Sequence, residues 1–149
     1  MTQETTIRFI TSAQSQDYAF FEQLLIDSFP KEEYRDLEIV RRFITEQASF
    51  HVLLLSSHND KMGALSYWDF DTFVYVEHLA IRTDIRSKGY GSLLIEHLAT
   101  LVQKPIVLEV ELPENEQSQK RIAFYQRKAF TLCSTPYLQP PYCISLRLF

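Results

Sequence analysis

The 149-residue sequence predicts one α/β domain built on a mixed, mostly antiparallel sheet. Three observations predict it. Between residues 50 and 82, short β-like runs alternate with polar turns, as the strands of a meander do. From 72 to 112 the pattern changes to strand, helix, strand, a βαβ unit. Apolar residues make up 46% and charged residues 23%, the proportions of an ordinary globular chain. A chain of this length buries roughly 68–70% of its unfolded surface, enough for a core.

The elements follow in order. Thr5–Ile10 alternates and predicts a first strand. Asp17–Ser28 sets Phe20, Phe21, Leu24, Leu25 and Phe29 at helical spacing, and Pro30 ends the run. Leu37, Val40, Phe43 and Ile44 predict a second helix over Leu37–Gln47, with its charges on a solvated face. Phe50–Leu55 and Met62–Trp68 read as an antiparallel hairpin around the polar turn 56–61, and Thr72–Arg82 as the next strand. Leu93, Leu94, Leu98, Leu101 and Val102 predict a helix over Gly89–Gln103, stopped by Lys104-Pro105. Ile106–Leu112 starts almost wholly apolar, as a buried, partly parallel strand does. A helix is expected over Ser118–Lys128, then strands at Phe130–Ser134 and Tyr142–Phe149 around Pro136, Pro140 and Pro141. The total is about seven strands in one central sheet and about four helices, with 1–149 forming one domain.

Composition excludes several classes. A net charge of −4 and a pI near 5.5 argue against a nucleic-acid surface and mildly favour cationic partners such as protonated amines. Met1–Thr5 shows no basic stretch leading into an apolar one, and no apolar run approaches the ~18 residues of a membrane span. The expectation is therefore a cytoplasmic protein without a membrane partner. Cys133 and Cys143 are too few for a disulfide framework and read as buried thiols. His51, His58, His78 and His97 lack metal-ligand spacing, so no metal is expected, and no Ser-His-Asp or Cys-His set is legible.

Glycine carries the functional signal. The chain holds three glycines, and two of them, Gly89 and Gly91, lie in Arg86-Ser87-Lys88-Gly89-Tyr90-Gly91, between a strand and a long apolar helix. The first turn of a helix leaves backbone N–H groups without partners at an electropositive end, a natural anion site. Small residues let phosphate oxygens reach those groups, and Arg86 and Lys88 add positive charge. The turn predicts a pyrophosphate site. A dinucleotide fingerprint needs a third glycine where Leu94 stands, and a Walker P-loop needs a Gly-Lys-Ser/Thr step that is missing. The bland reading, a structural turn with a solvated arginine, would prevail for the two glycines alone.

The surroundings of the turn resemble the GNAT acetyltransferase superfamily. Its signature R/Q-x-x-G-x-G/A after a Leu-Ala-Val-like strand end is matched by Leu79-Ala80-Ile81 and Arg86–Gly91. Its second element is matched by Leu108-Glu109-Val110 and Phe124-Tyr125-Gln126-Arg127-Lys128-Ala129-Phe130, with Ala129 where glycine is usual. The 137–142 tail is similar to that of a bacterial subgroup of the family. The resemblance implies acetyl-coenzyme A as co-substrate and direct transfer of its acetyl group to a primary amine, with no metal. The amine would be a small molecule, a lysine or an N-terminus. It implies cofactor contacts from Leu79, Ala80, Ile81, Arg86, Ser87, Lys88, Gly89, Tyr90, Gly91 and Ser92, from Tyr125, and from Ser118 where the family often has Asn. Tyr125 is the implied acid, since a phenol with pKa near 10 stays protonated at pH 7. Similar proteins commonly form homodimers through their C-terminal strands. The rival from another class is a coenzyme A-binding sensor with the same fold and no catalysis.

The general base is read from strand alternation together with the resemblance. Regular alternation puts Tyr75, Glu77, Leu79 and Ile81 on one face and Val76, His78 and Ala80 on the other. In the family, the position of Glu77 faces substrate, which makes Glu77 the first candidate, directly or through a water. Glu109 and Glu111 share a face of the next strand, and with Glu114 and Glu116 they form an acidic run suited to a cationic amine. Segments 28–36, 66–75 and 135–143 are expected to form the acceptor cleft, with Tyr34, Tyr67 and Trp68 as aromatic walls.

Overall fold

A computed structural model describes residues 4–110 and 113–132, and the backbone alone of 138–139 and 147–148. The order is β1 (Thr6–Phe9), α1 (Gln16–Ser28), α2 (Leu37–Glu46), β2 (Phe50–Ser57), β3 (Asp60–Asp69), β4 (Val74–Ile81), α3 (Tyr90–Val102), β5 (Ile106–Leu108), α4 (Glu116–Arg127), β6 (Leu138–Gln139) and β7 (Arg147–Leu148). Strands β1 to β5 form one sheet in chain order. The first four are antiparallel and β5 joins β4 in parallel, which makes β4-α3-β5 the expected βαβ unit. No helix among the described residues is long and apolar enough to cross a membrane.

The expectation of about seven strands in one sheet is corrected: among the described residues the sheet has five, and β6 and β7 form a separate pair. The predicted strand at 130 fails because α4 ends in a tight turn, where Phe130 N–H returns to the Tyr125 carbonyl at 3.1 Å. Residues 133–134 and most of 142–149 lie outside the described residues. The strand predicted over 106–112 stops at Leu108, and Glu111 and Leu112 lie outside the described residues.

The sheet is covered on both faces. On one, Val52, Leu54, Ala64 and Ala80 meet Tyr18, Phe21, Leu24 and Leu25 of α1 and Val40 of α2. On the other, Leu53, Leu55, Leu65, Val74 and Val76 meet Leu94, Ile95 and Leu98 of α3, with Phe124 and Tyr125 of α4 against them. This explains why β2 reads as an unbroken apolar run: alternate residues enter two different cores.

Strand β4 does not alternate regularly. Its register with β3 slips between Ser66 and Tyr67, so that Ser66 faces His78 while Tyr67 faces Val76 and Glu77 is left over. One extra residue in a strand flips everything beyond it. Val74 and Val76 enter the α3 side, yet so do Leu79 and Ile81, while Ala80 joins the α1 side. The predicted grouping of Tyr75 and Glu77 with Leu79 and Ile81 is therefore corrected.

Candidate active site

The bulge also separates β4 from β5. The two strands pair only from Val74↔Ile106 to Val76↔Leu108. Beyond Glu77 the β5-facing edge of β4 carries no strand among the described residues. A cleft of about 720 Å³ occupies the gap. Its floor is β4 from Tyr75 to Ile81, and its walls come from the turn at Arg86–Ser92, from Leu108–Val110, from α4 and from the end of α1.

The turn has the form its sequence promised. Three of the four α-helices start on a capping side chain: Ser15 for α1, Asp36 for α2 and Asn115 for α4. Helix α3 starts on Gly89, at φ +87°, with no side-chain cap. An L side chain is strained at that φ, so glycine is required by conformation even though a Cβ there would meet nothing within 4 Å. Gly89 carries no side chain to cap the first-turn N–H groups of α3, and the turn lines the cleft. Arg86 folds back, its Nε donating to the Ile81 carbonyl at 3.1 Å, and ties the turn to the strand end. Lys120, Arg121 and Arg127 of α4 add positive charge along the same cleft.

Tyr125 lines the cleft and packs edge-on against Phe124 and Phe130, with ring centroids 5.0 and 5.4 Å away. Burial pushes its pKa up to about 12, with Arg121 pulling weakly the other way. Its phenol is protonated throughout the neutral range. Ala129 takes φ +69°, the conformation of the usual glycine, so the turn after α4 keeps its shape.

Glu77 sits at the bulge with its side chain 3% exposed. Oε1 accepts from Arg35 Nε and Oε2 from Trp68 Nε1, both at 2.8 Å. His78, beside it, reaches the Glu33 carbonyl through Nε2 at 2.8 Å, which makes Nε2 the protonated nitrogen. Burial lowers the His78 pKa to about 4, with Glu77 raising it and Arg35 lowering it as smaller effects, so the ring is neutral at pH 7.

Of the expected cofactor residues, Leu79, Ala80, Ile81, Arg86, Ser87, Gly89, Tyr90, Gly91, Ser92 and Tyr125 line this one cleft together with Glu77 and Glu109. Lys88 and Ser118 do not. Ser118 is 2% exposed and spends its hydroxyl and its N–H on a capping box with Asn115. Part of the signal was present in sequence, because asparagine is a preferred N-cap residue. The expected aromatic walls are elsewhere as well. Tyr67 is buried in the α3 core, and Trp68 and Tyr34 pack half-buried against the α1 core, while Phe29, Tyr75 and Phe124 line the cleft. Glu114 is exposed and Glu116 pairs with Lys120, 3.2 Å apart. Sequence reasoning placed segment 28–36 at the cleft but singled out neither Arg35, 42 residues from its partner Glu77, nor Phe29, and most of segment 135–143 lies outside the described residues. No group of three or more metal-ligating side chains occurs among the described residues.

Comparison with known proteins agrees with the fold. The profile of the acetyltransferase (GNAT) family matches residues 17–130. A solved structure from Bacteroides thetaiotaomicron, described as "Putative acetyltransferase from GNAT family", is 42% identical at a TM-score of 0.86, covering 96% of this chain and 84% of that one. "Putative acetyltransferase YjbC" of Bacillus subtilis (strain 168) is 33% identical over 110 residues, which are 71% of this chain and 54% of the relative. The chain thus spans about half the length of that curated relative. The aminoglycoside acetyltransferase meta-AAC0020 from an uncultured soil metagenomic sample, solved with sisomicin, shares the fold at a TM-score of 0.69 and 14% identity, covering 88% of this chain and 91% of its own. The chain belongs to the GNAT acetyltransferase family, whose class is N-acetyltransferase.

Proposed function

We propose that this chain transfers an acetyl group from acetyl-coenzyme A directly to a primary amine within a ternary complex. The observation that carries the reading is the meeting of three features in one cleft: an uncapped helix start at Gly89, an open edge of β4 and the protonated phenol of Tyr125. Acetyl-coenzyme A supplies a thioester whose C–S bond breaks as the amine nitrogen forms a C–N bond. The first-turn N–H groups of α3, with Arg86 and Ser87 beside them, hold phosphates. Backbone groups of Leu79, Ala80 and Ile81 orient the pantetheine arm and polarise the thioester carbonyl. Tyr125 gives its proton to the leaving thiolate. Glu77 takes the proton of the amine through a water, because both carboxylate oxygens already hold a donor.

That engagement of Glu77 is also the one observation favouring a coenzyme A sensor, since a base must be able to receive a proton. Thermal unfolding with acetyl-coenzyme A, coenzyme A and NAD tests binding, because a ligand of the native state alone raises the midpoint. A rise with both coenzyme A species and not with NAD is expected; no rise at millimolar ligand removes the proposal. A panel of tyramine, spermidine, lysine amide and sisomicin then separates enzyme from sensor by turnover. A cationic acceptor is expected, and Glu109 in the cleft is the residue that favours it.

A further inference from the structure

The bulge in β4 does more than open the cleft. Because Glu77 is the extra residue, Glu77 and His78 both face the α1–α2 side, where regular alternation would send one to each face. Both are directed at one target, the segment 29–36 between α1 and α2. Glu77 grips Arg35 at 2.8 Å while Trp68 Nε1 holds its other oxygen, also at 2.8 Å. His78 donates to the Glu33 carbonyl, and the Phe29 ring stands edge-on to the His78 imidazole, centroids 4.8 Å apart. The Arg35 guanidinium in turn lies 5.4 Å from the centre of the Phe43 ring of α2.

This segment needs such links. Its ends, Phe29 and Tyr34, pack half-buried against the α1 core, but its middle, Lys31–Glu33, is a single 3-10 turn with no buried residue, so polar links decide where that turn sits. Yet Phe29 and Glu33 line the cleft. The phosphate turn and Tyr125 belong to the opposite, α3–α4 face of the sheet. Segment 29–36 is therefore the wall that meets whatever enters from the α1–α2 side. On the acetyltransferase reading above, on which this inference rests, that is the amine.

We propose that Arg35 is a positioning residue for the acceptor: its ion pair with the bulge residue Glu77 clasps segment 29–36 to β4 and fixes Phe29 and Glu33 as the acceptor wall. A charge-assisted pair with a buried carboxylate is directional and loses much of its strength with small displacements. The clasp thus converts a β-strand irregularity into a defined side for the cleft.

Two measurements on the full chain test it. Amide hydrogen exchange is compared for the parent, Arg35→Lys and Arg35→Met. The double variant Arg35→Met/Glu77→Gln is included because Arg35→Met strands a buried charge and could unfold. Faster exchange confined to 29–36 in the Met variants, with parental exchange in Arg35→Lys, is the expected result; identical exchange in all four overturns the clasp. Steady-state kinetics use the panel amine that is turned over fastest. Arg35→Met is expected to raise the amine KM about tenfold with the acetyl-coenzyme A KM unchanged, and Arg35→Lys to restore most of it. A loss in kcat alone, or in the acetyl-coenzyme A KM, overturns the positioning role. If the parent shows no acetyl-coenzyme A midpoint shift, the acetyltransferase reading fails, and the acceptor role falls with it, while exchange still decides the clasp.

Discussion

The two edges of β4 have opposite fates. Along β3 the strand is paired from Asp69↔Val74 to Gly63↔Ile81, and the approach is so close that a Cβ on Gly63 would sit 2.7 Å from the Ala80 carbonyl oxygen. Along β5 it is paired only as far as Val76, and then the backbone faces a cleft. Residues 77–81 thus belong to the sheet on one side and line the cleft on the other. Unpaired strand edges are normally covered or blunted, because exposed N–H and C=O groups recruit other chains. Here the uncovered stretch is short, recessed between helices and bounded by a bulge. The lesson is that a single inserted residue, skipped in the ladder on one edge, can coincide with the end of pairing on the other and leave a cleft there.

Mutations on each side should separate the two roles. The largest effect is expected from Tyr125→Phe, which removes the proposed proton donor from the cleft: kcat should fall by about 10²-fold or more with the acetyl-coenzyme A midpoint shift preserved. Unchanged turnover at saturating substrate would show that Tyr125 is only a packed aromatic. Next is the acid response of the open half. The His78 pKa lies near 4 when folded against 6.5 in the unfolded chain, so between those values the unfolded chain binds the extra proton. Stability is full above pH 6.5 and declines by about 3 kcal/mol as pH falls to 4. Denaturant titrations across that window should show the slope, and His78→Gln should flatten it. On the paired edge, Gly63→Ala forces β3 and β4 apart and should lower the unfolding free energy by about 2 kcal/mol while acetyl-coenzyme A still raises the midpoint. The smallest effect is expected from Gly89→Asp. Aspartate is strained at the φ of Gly89, though less than most side chains, and it sets a carboxylate in the turn. Calorimetry should find coenzyme A bound about tenfold more weakly with the fold intact; equal affinity would free the turn of its assigned role.

Much of the fold was legible, and the reasons for the gaps are physical. Helix α3 shows in its leucine spacing, and β2 and β3 show in apolar runs, because burial writes itself into composition. The turn was legible because Gly89 has no substitute at its φ. The bulge was not, since one unpaired residue leaves no mark in a sequence whose strand residues are all acceptable on either face. That hidden slip is why Glu77 and His78 were assigned to opposite faces. Ser118 was read through the resemblance as a ligand contact, although Asn115 before it is a preferred N-cap residue. Arg35 was invisible because its partner is 42 residues away in sequence and 2.8 Å away in space.

Helix α3 starts without a cap, and this has an energetic consequence beyond binding. A phosphate seated on Gly89–Gly91 would act as the missing cap, so the ligand becomes part of what holds the last turn between strand and helix together. At a hundredfold excess over its dissociation constant a native-state ligand adds about 2.7 kcal/mol of stability. Resistance of such a chain to heat and proteases would then rise and fall with the supply of its co-substrate, so that protein lifetime in the cell becomes a readout of metabolic state.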